Sequence, residues 1–233
     1  MSKLSDAFPE PTSQLFIEAV EKGDAPQAIA RSTAVPAGVN TVGAEGETAL
    51  LLAVMRLDKP MVVALLKAGA KADGGPDRSP LAIAVQARDT WFATTLLNAG
   101  ASPDATSGGE TPLFRAVLVN RIDMINILLD AGALPDAPNA LGATPSMTAA
   151  KIDDFLAAKR LLDRGGSPFA SDRRGVSLAY ITSISTLSPT SPQGRARQMV
   201  VDQLRQSGVP WPPPQPQEVV SLKARGQWPP APR

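Results

Sequence analysis

The feature that most constrains this chain is a sequence segment that recurs four times at nearly equal spacing. The segments occupy residues 48–54 (TALLLAV), 79–85 (SPLAIAV), 111–117 (TPLFRAV) and 144–150 (TPSMTAA), and the steps between them are 31, 32 and 33 residues. Recurrence at this period is typical of proteins built from stacked supersecondary units. Each unit is too small to bury its own apolar face, so neighbouring copies must cover it.

A second signature follows each segment at a constant distance. The sequences LLKAGA, LLNAGA, LLDAGA and LLDRGG begin at residues 65, 96, 128 and 161, and 21 residues separate each initial Thr or Ser from the glycine. A hydroxyl side chain suits a helix N-cap, proline suits the first helical position, and glycine suits a left-handed helix end. Each copy is therefore predicted to be a helix, a turn, a second helix and an extended return.

These residues resemble the ankyrin repeat, whose pattern is Thr-Pro-Leu-x-x-Ala followed by Leu-Leu-x-x-Gly-Ala. The resemblance implies an all-α fold, an ankyrin-repeat solenoid of stacked helix-turn-helix units with short β-hairpin-like loops. The sequence departs from the pattern in places. Ala49 replaces the proline of the first full unit, Ser146 replaces the leucine of the fourth, and the usual histidine is replaced by Leu51, Ala82, Phe114 and Met147.

The register of the repeats divides the chain into three predicted parts. These are a flexible N-terminus (1–13), a repeat array (14–209) and a Pro/Trp-rich tail (210–233). The array is predicted to contain a degenerate first repeat (14–41), four full repeats at about 42–74, 75–105, 106–138 and 139–171, and an elongated C-terminal repeat (172–209). The closing LRQSG of this last repeat arrives ten residues late. We therefore expect a lengthened loop around residues 186–192, which are rich in turn formers.

The tail admits three interpretations. Its proline clusters favour polyproline II over helix, and a disordered tail is one reading. Trp211 and Trp228 could instead fold back and cover the last repeat, because two exposed tryptophans in so few residues are costly. The third alternative is a ligand for a proline-recognising domain.

The composition argues against catalysis. The chain has no Cys and no His, which removes thiolate chemistry, the commonest general base and the commonest metal ligand. The pair Asp153–Asp154 is interpreted as a solvated turn, and the paired glycines at 74–75 and 108–109 lack the Gly-Lys-Ser/Thr of a phosphate loop. We predict no enzyme activity, no cofactor and no metal.

Charge and hydropathy bear on location and partners. The net charge is +1 and no basic stripe is present, so no nucleic-acid partner is expected. The first 11 residues have no apolar core of a secretory signal, and no apolar run approaches the roughly 18 residues that span a bilayer. The prediction is a cytoplasmic protein with no membrane partner.

The resemblance also implies where a partner protein would bind, namely the end of the first helix of each repeat and the loop tips. By register, the helix-end positions are Met55, Arg56, Gln86, Leu118, Val119, Lys151 and Ile152. The loop-tip positions are Glu45, Glu47, Arg78, Glu110 and Leu141. The apolar members would form a broken ridge, and such patches often mark interfaces. The alternative is that repeat curvature or the tail buries them.

The predicted function is a non-catalytic protein–protein interaction module, either an adaptor or an inhibitor that occludes its target. An alternative is a toxin-neutralising (immunity) protein or a secreted effector on the same scaffold. A bacterial origin is suggested by the Ala- and Pro-rich composition. A third alternative is an enzyme with its site in the groove or the last loop. An enzyme should show a recessed polar pocket with shifted pKa values.

Overall fold

The structure is a computed structural model that describes residues 7–230. The chain folds as two compact units, Met1–Pro112 and Leu113–Arg233, which are called the first and second unit below. Within residues 7–230 the regular secondary structure is helical, and β pairing is limited to isolated bridges. The prediction of an all-α fold is confirmed. Residues 1–6 of the predicted flexible N-terminus and residues 231–233 of the tail lie outside the described range.

The first unit consists of three helical pairs. Its helices are α1 (Pro11–Glu21), α2 (Ala25–Ser32), α3 (Ala49–Met55), α4 (Lys59–Lys67), α5 (Pro80–Ala84) and α6 (Trp91–Asn98), with a short 3₁₀ helix at Gly38–Asn40. Consecutive helices pack as the pairs α1–α2, α3–α4 and α5–α6. Neighbouring pairs contact each other through α1, α3 and α5 on one side and through α2 and α4 on the other.

The second unit holds the remaining helices. They are α7 (Pro112–Leu118, beginning at the unit boundary), α8 (Ile122–Asp130), α9 (Pro145–Lys151), α10 (Phe155–Asp163), α11 (Leu178–Ile184), α12 (Pro192–Gln206) and α13 (Pro216–Ala224). Helix α9 packs on α10 and α11, and α12 packs on α10 and α11. The last two repeats are thus joined helix against helix.

The predicted N-caps of the first helices form. The hydroxyls of Thr48, Ser79, Thr144 and Ser177 each accept the backbone N–H three residues on. The second helices have caps that the sequence analysis did not anticipate, because Asp24, Asp58 and Asp154 accept a backbone N–H in the same way. Each such cap stabilises its helix by about 1 kcal/mol.

The repeated glycines end the second helices in the left-handed conformation, as predicted. Gly69, Gly100, Gly132 and Gly165 have φ between 87° and 93°. The residue after each glycine donates its N–H to a carbonyl five residues back, for example Ala70 to Leu65 at 2.9 Å. This pattern closes the exposed carbonyl end of the helix.

The repeated apolar positions form the core. The leucines that follow the capping segment (Leu50, Leu81, Leu113) and those of the second helix (Leu65, Leu96, Leu128, Leu161) are at most 1% exposed. The alanines of the first helix are equally buried, so neighbouring helices can approach closely. Burying one leucine contributes about 1.5–3 kcal/mol.

The loops between repeats are hairpin-like and are tied to one another. Isolated bridges join Val42 to Thr48, Gly75 to Arg78, Ser107 to Glu110 and Ser171 to Ser177. Carboxylate or amide oxygens also link successive repeats, because Asn40, Asp73 and Asp136 accept the backbone N–H of Lys71, Ser102 and Ser167, each at 2.7 Å.

The N-terminal segment differs from the prediction of a flexible residue range 1–13. Phe8 is fully buried, and α1 already begins at Pro11. The backbone holds the segment as well, since Ala44 donates its N–H to the carbonyl of Ala7 at 2.9 Å. The physical reason is that the Phe8 ring lies against Gly43 of the first loop, where no side chain obstructs it.

The last repeat gains its extra length partly in a helix. Residues 185–191 form the joining segment, which ends where the Ser191 hydroxyl accepts the N–H of Gly194. Helix α12 then has 15 residues, whereas α10 has 9. The sequence analysis assigned the whole addition to the loop.

The tail folds back on the last repeat, and the polyproline reading is wrong for the segment that forms α13. Val219 of α13 is fully buried. The indole N–H of Trp228 donates to the Phe169 carbonyl at 3.2 Å, and the two rings meet edge to face. Trp211 lies instead under the guanidinium of Arg205 at 5.2 Å. Of the three interpretations, the fold-back is the one that the structure shows for residues 210–230.

Candidate functional site

The predicted helix-end residues of the second unit are exposed. Leu118 is the last residue of α7 and is 46% exposed, and Val119 follows it with a similar exposure. Lys151 ends α9, and Ile152 after it is also about half exposed. Neither repeat curvature nor the tail covers these side chains. The Lys151 side chain is exposed as well.

The corresponding positions of the first unit are exposed as well. Met55 at the end of α3 is 56% exposed, and Arg56 and Gln86 are exposed beside their helices. Leu57 comes next and is 57% exposed, with a left-handed φ of 57°. The sequence analysis did not include it. Leu57 occupies the turn position that Asn120 and Asp153 hold in other repeats, where Asn and Asp tolerate this backbone conformation.

The sharp turn after each first helix explains this exposure. In these repeats the N–H groups of the turn residue and of the next residue bond back to the helix, as when Asp153 donates to the Ala150 carbonyl and Asp154 to the Ala149 carbonyl. The chain therefore reverses directly beyond the helix end. The last helical side chain and its neighbour are left without a packing element above them.

The loop tips of the first unit carry charges that pair with one another. Arg78 reaches the carboxylate of Glu45 at 3.1 Å and that of Glu47 at 3.9 Å. Glu47 is only 8% exposed, and its carboxylate accepts the N–H of Glu45. Its main contacts are thus within its own loop, which corrects the expectation of an accessible side chain. Glu110 is half-buried, and its N–H donates to the Ser107 carbonyl.

The loop tips of the second unit have a different character. Leu141 is 62% exposed, and its carbonyl accepts the N–H of Arg173 from the next loop. Arg173 and Arg174 are both exposed. The sequence analysis did not include these arginines among the candidate binding residues. Here they place positive charge beside an exposed leucine.

A depression of about 320 Å³ lies between α9 and α11 in the second unit. Its lining includes Lys151, Val176, Tyr180, Ile181 and Ile184. Ile184 ends α11 and is 58% exposed. The sequence analysis missed it, although Ile184 follows Lys151 by 33 residues, which is the repeat step.

The comparisons with known proteins agree with this geometry. The family described as "Ankyrin repeat" has a sequence model that matches residues 108–140. The matched residues, which contain α7 and α8, are an ankyrin repeat. The crystal structure of the human ASB11 ankyrin repeat domain is similar to this chain, with a TM-score of 0.61 and 26% sequence identity. The similarity covers 79% of this chain and 81% of that one. A search of curated proteins gave no significant match.

Ankyrin repeats are generally protein–protein interaction modules, and the fold is typically a non-catalytic scaffold. Among residues 7–230, no group of three or more Asp and Glu side chains is placed to hold a metal ion. None of the helices in this range combines the length and the apolar character that a bilayer crossing requires.

The carboxylates with shifted pKa values do not line the depression, and each shift has a structural cause. The hydrogen bond from Lys59 lowers the pKa of Asp89, and the bidentate contact with Arg121 lowers the pKa of Asp123. Burial raises the pKa of Asp136. Asp123 and Asp136 belong to the same repeat, but Asp123 is paired with Arg121 and Asp136 accepts the N–H of Ser167, so the two carboxylates have separate partners.

Proposed function

We propose that this ankyrin-repeat chain is a non-catalytic module that binds another protein through its first-helix ends and loop tips. The observation that carries the proposal is the repeated exposure of large apolar side chains at two adjacent register positions, Met55 and Leu118 at the first and Val119 and Ile152 at the second. Each unit therefore presents exposed apolar side chains at the ends of its first helices, and exposed apolar patches mark interaction sites.

The charges around these side chains support a protein partner. Arg56 and Lys151 stand next to Met55 and Ile152 in the sequence, so two of the four apolar side chains have a cation beside them. An apolar centre with a polar rim is the usual composition of a protein interface. An adaptor and an occluding inhibitor both need only such a surface, with no reacting groups.

The test uses the exposure of Leu118. The wild-type chain captures its partner from native lysate, and the purified partner is then titrated into wild type and variants by calorimetry. We expect Leu118→Asp to weaken binding by tenfold or more, because it places a charge in the apolar contact. The melting temperature should change little, since exposed substitutions usually alter stability by less than about 0.5 kcal/mol.

Met199→Asp is the matched control, because Met199 is 53% exposed on α12 and lies away from the proposed surface. Its affinity for the partner should equal that of the wild type. Equal weakening by both variants would show that the effect is not specific to the surface. An unfolded Leu118→Asp protein would show that Leu118 belongs to the core, and unchanged binding would remove this surface from the proposal.

A further inference from the structure

The charge of the chain is unevenly distributed along the sequence. Residues 173–233 contain eight Lys or Arg and two Asp or Glu, a net charge of +6. Residues 1–172 contain fifteen Lys or Arg and twenty Asp or Glu, a net charge of −5. The near-neutral total therefore conceals a strongly basic C-terminal stretch, which favours partners of opposite charge.

Three of these cations surround the loop of the last repeat. Arg173 and Arg174 lie at its tip, and the Arg174 side chain is 71% exposed. Lys223 reaches the same loop from α13, with its ammonium 3.2 Å from the carbonyls of Ser171 and Asp172. The docked tail thus adds a charge to the loop.

The loop also contains one carboxylate, Asp172, which does little to neutralise the three cations at the loop surface. Asp172 has a side chain that is only 1% exposed, and its carboxylate accepts the N–H groups of Arg174 and Val176. Its ion pair with Arg174 is 3.4 Å long. The carboxylate therefore holds the loop from inside, while the guanidinium groups face solvent.

The apolar depression between α9 and α11 begins close to these cations. Val176 lines it and is two residues from Arg174, a distance of at most about 7 Å along the backbone. Its volume of about 320 Å³ equals that of roughly ten water molecules in the liquid, enough for one large side chain. Ile184 gives it an exposed apolar rim.

Charges at the rim of the depression define an orientation. Lys151 lines one edge. Asp153 lies at the rim as well, where it accepts a hydrogen bond from the Ser185 hydroxyl at 2.9 Å. An occupant with carboxylates would place them toward Lys151 and the loop arginines and away from Asp153.

We infer that the last two repeats bind an extended acidic segment of a partner protein, with one large apolar side chain seated between α9 and α11. The segment's carboxylates lie against Lys151, Arg173 and Arg174. This inference rests on the proposed function, since it specifies the partner for part of the same surface. It goes further by fixing the partner's charge and its anchor residue.

The probes are short fluorescent peptides added to the full chain and followed by anisotropy. The first has a central leucine flanked by glutamates. The second replaces the leucine with serine, the third replaces the glutamates with glutamines, and the fourth replaces them with lysines. We expect the first to bind most tightly, with a loss on the order of tenfold for the serine peptide. Added salt should weaken its binding.

Two variants with matched controls locate the binding site. The double variant Arg173→Glu with Arg174→Glu should lose tenfold or more, and Arg173→Gln with Arg174→Gln should lose less. Ile184→Ser should reduce the advantage of leucine over serine in the peptide. The controls are Arg160→Glu with Arg195→Glu, two exposed cations on α10 and α12, and Met199→Ser. These controls should bind as the wild type does.

Several outcomes would overturn the inference. If the glutamine peptide binds as tightly as the glutamate peptide, the partner is not acidic, although protein binding stands. If single-stranded DNA of equal charge binds more tightly and Ile184→Ser has no effect, the surface is a general anion site. If no peptide binds while Leu118→Asp still weakens binding of the native partner, this inference fails and the proposed function stands. Failure of both experiments removes both.

Discussion

The first repeat and the last repeat of this chain are covered in different ways. At the start of the described chain, a single aromatic ring, Phe8, is buried against the first loop, only a few residues before α1. In the last repeat, the 15-residue α12 is followed by a tail whose helix α13 buries Val219. A terminal repeat has no neighbour on one side, so its apolar surface needs another cover.

The two covers differ in the number of side chains on which they depend. The N-terminal cover depends on one fully buried side chain and two backbone-directed hydrogen bonds, from Ala44 to Ala7 and from Gln14 to Phe8. The C-terminal cover is spread over Val219, Lys223 and Trp228, each with a separate contact. We therefore expect single substitutions to cost more at the N-terminal end.

The largest effect is expected for Phe8→Ala. Truncating a fully buried phenylalanine should lower the free energy of unfolding by about 3 kcal/mol. Thermal denaturation gives the change, and hydrogen exchange should show it first in α1. Phe8→Leu is the control and should cost less, because it keeps an apolar side chain in place. A melting temperature unaffected by Phe8→Ala would show that the N-terminal cover is dispensable.

Local signals in the sequence predicted the repeats well, because caps and helix ends depend on neighbouring residues. Thr48 and Gly69 perform their predicted roles through contacts a few residues away. The sequence could not place Glu47 or Phe8, because their burial depends on which loop closes over them. It left the tail open between three readings, one of them the fold-back, because Lys223 contacts Ser171 across 52 residues and proline content alone favours an extended chain.

The candidate site, like the fold, could be predicted from the sequence only where it depends on neighbouring residues. The exposure of Leu118 and Ile152 follows from the register, because each stands beside the turn that ends a first helix. Ile184 obeys the same register and could have been found by continuing the repeat step into the last repeat. The depression beside it depends on packing of α9 against α11, which no local pattern specifies.

A smaller effect is expected for Val219→Ala in the tail. The substitution removes two buried carbon atoms, so the docked tail should lose about 1.5 kcal/mol. Limited proteolysis should then cut the residues around α13 faster, while the melting temperature of the repeats changes less than in Phe8→Ala. Val220→Ala is the control, since Val220 is 44% exposed. If Val219→Ala destabilises the whole chain as much as Phe8→Ala, the two covers do not differ as described.

The smallest effect concerns a side-chain hydrogen bond that links neighbouring repeats, made by Asn40 in the first unit and by Asp136 in the second. Asn40 accepts the N–H of Lys71 and donates to the Gly69 carbonyl at 3.0 Å. Asp136 accepts the N–H of Ser167, 31 residues on, as Asn40 does, but its other oxygen is buried and has no hydrogen-bond partner among the described residues. An amide at this position could donate to the carbonyl of Gly165, which lies 29 residues on, as Gly69 does from Asn40.

We therefore expect Asp136→Asn to stabilise the second unit by about 0.5–1 kcal/mol, the value of one ordinary hydrogen bond. Burial raises the pKa of Asp136, so the folded state holds its proton more readily than the unfolded state. The contribution of Asp136 to the stability of the fold is favourable in acid and is lost as the pH rises through that raised pKa. The gain from Asp136→Asn should accordingly be larger at neutral pH than in acid.

Asp73→Asn is the control. It changes an exposed carboxylate that makes the corresponding bond to Ser102, and it should change stability little. An equal gain for both variants at all pH values would show that the buried oxygen of Asp136 is not the cause.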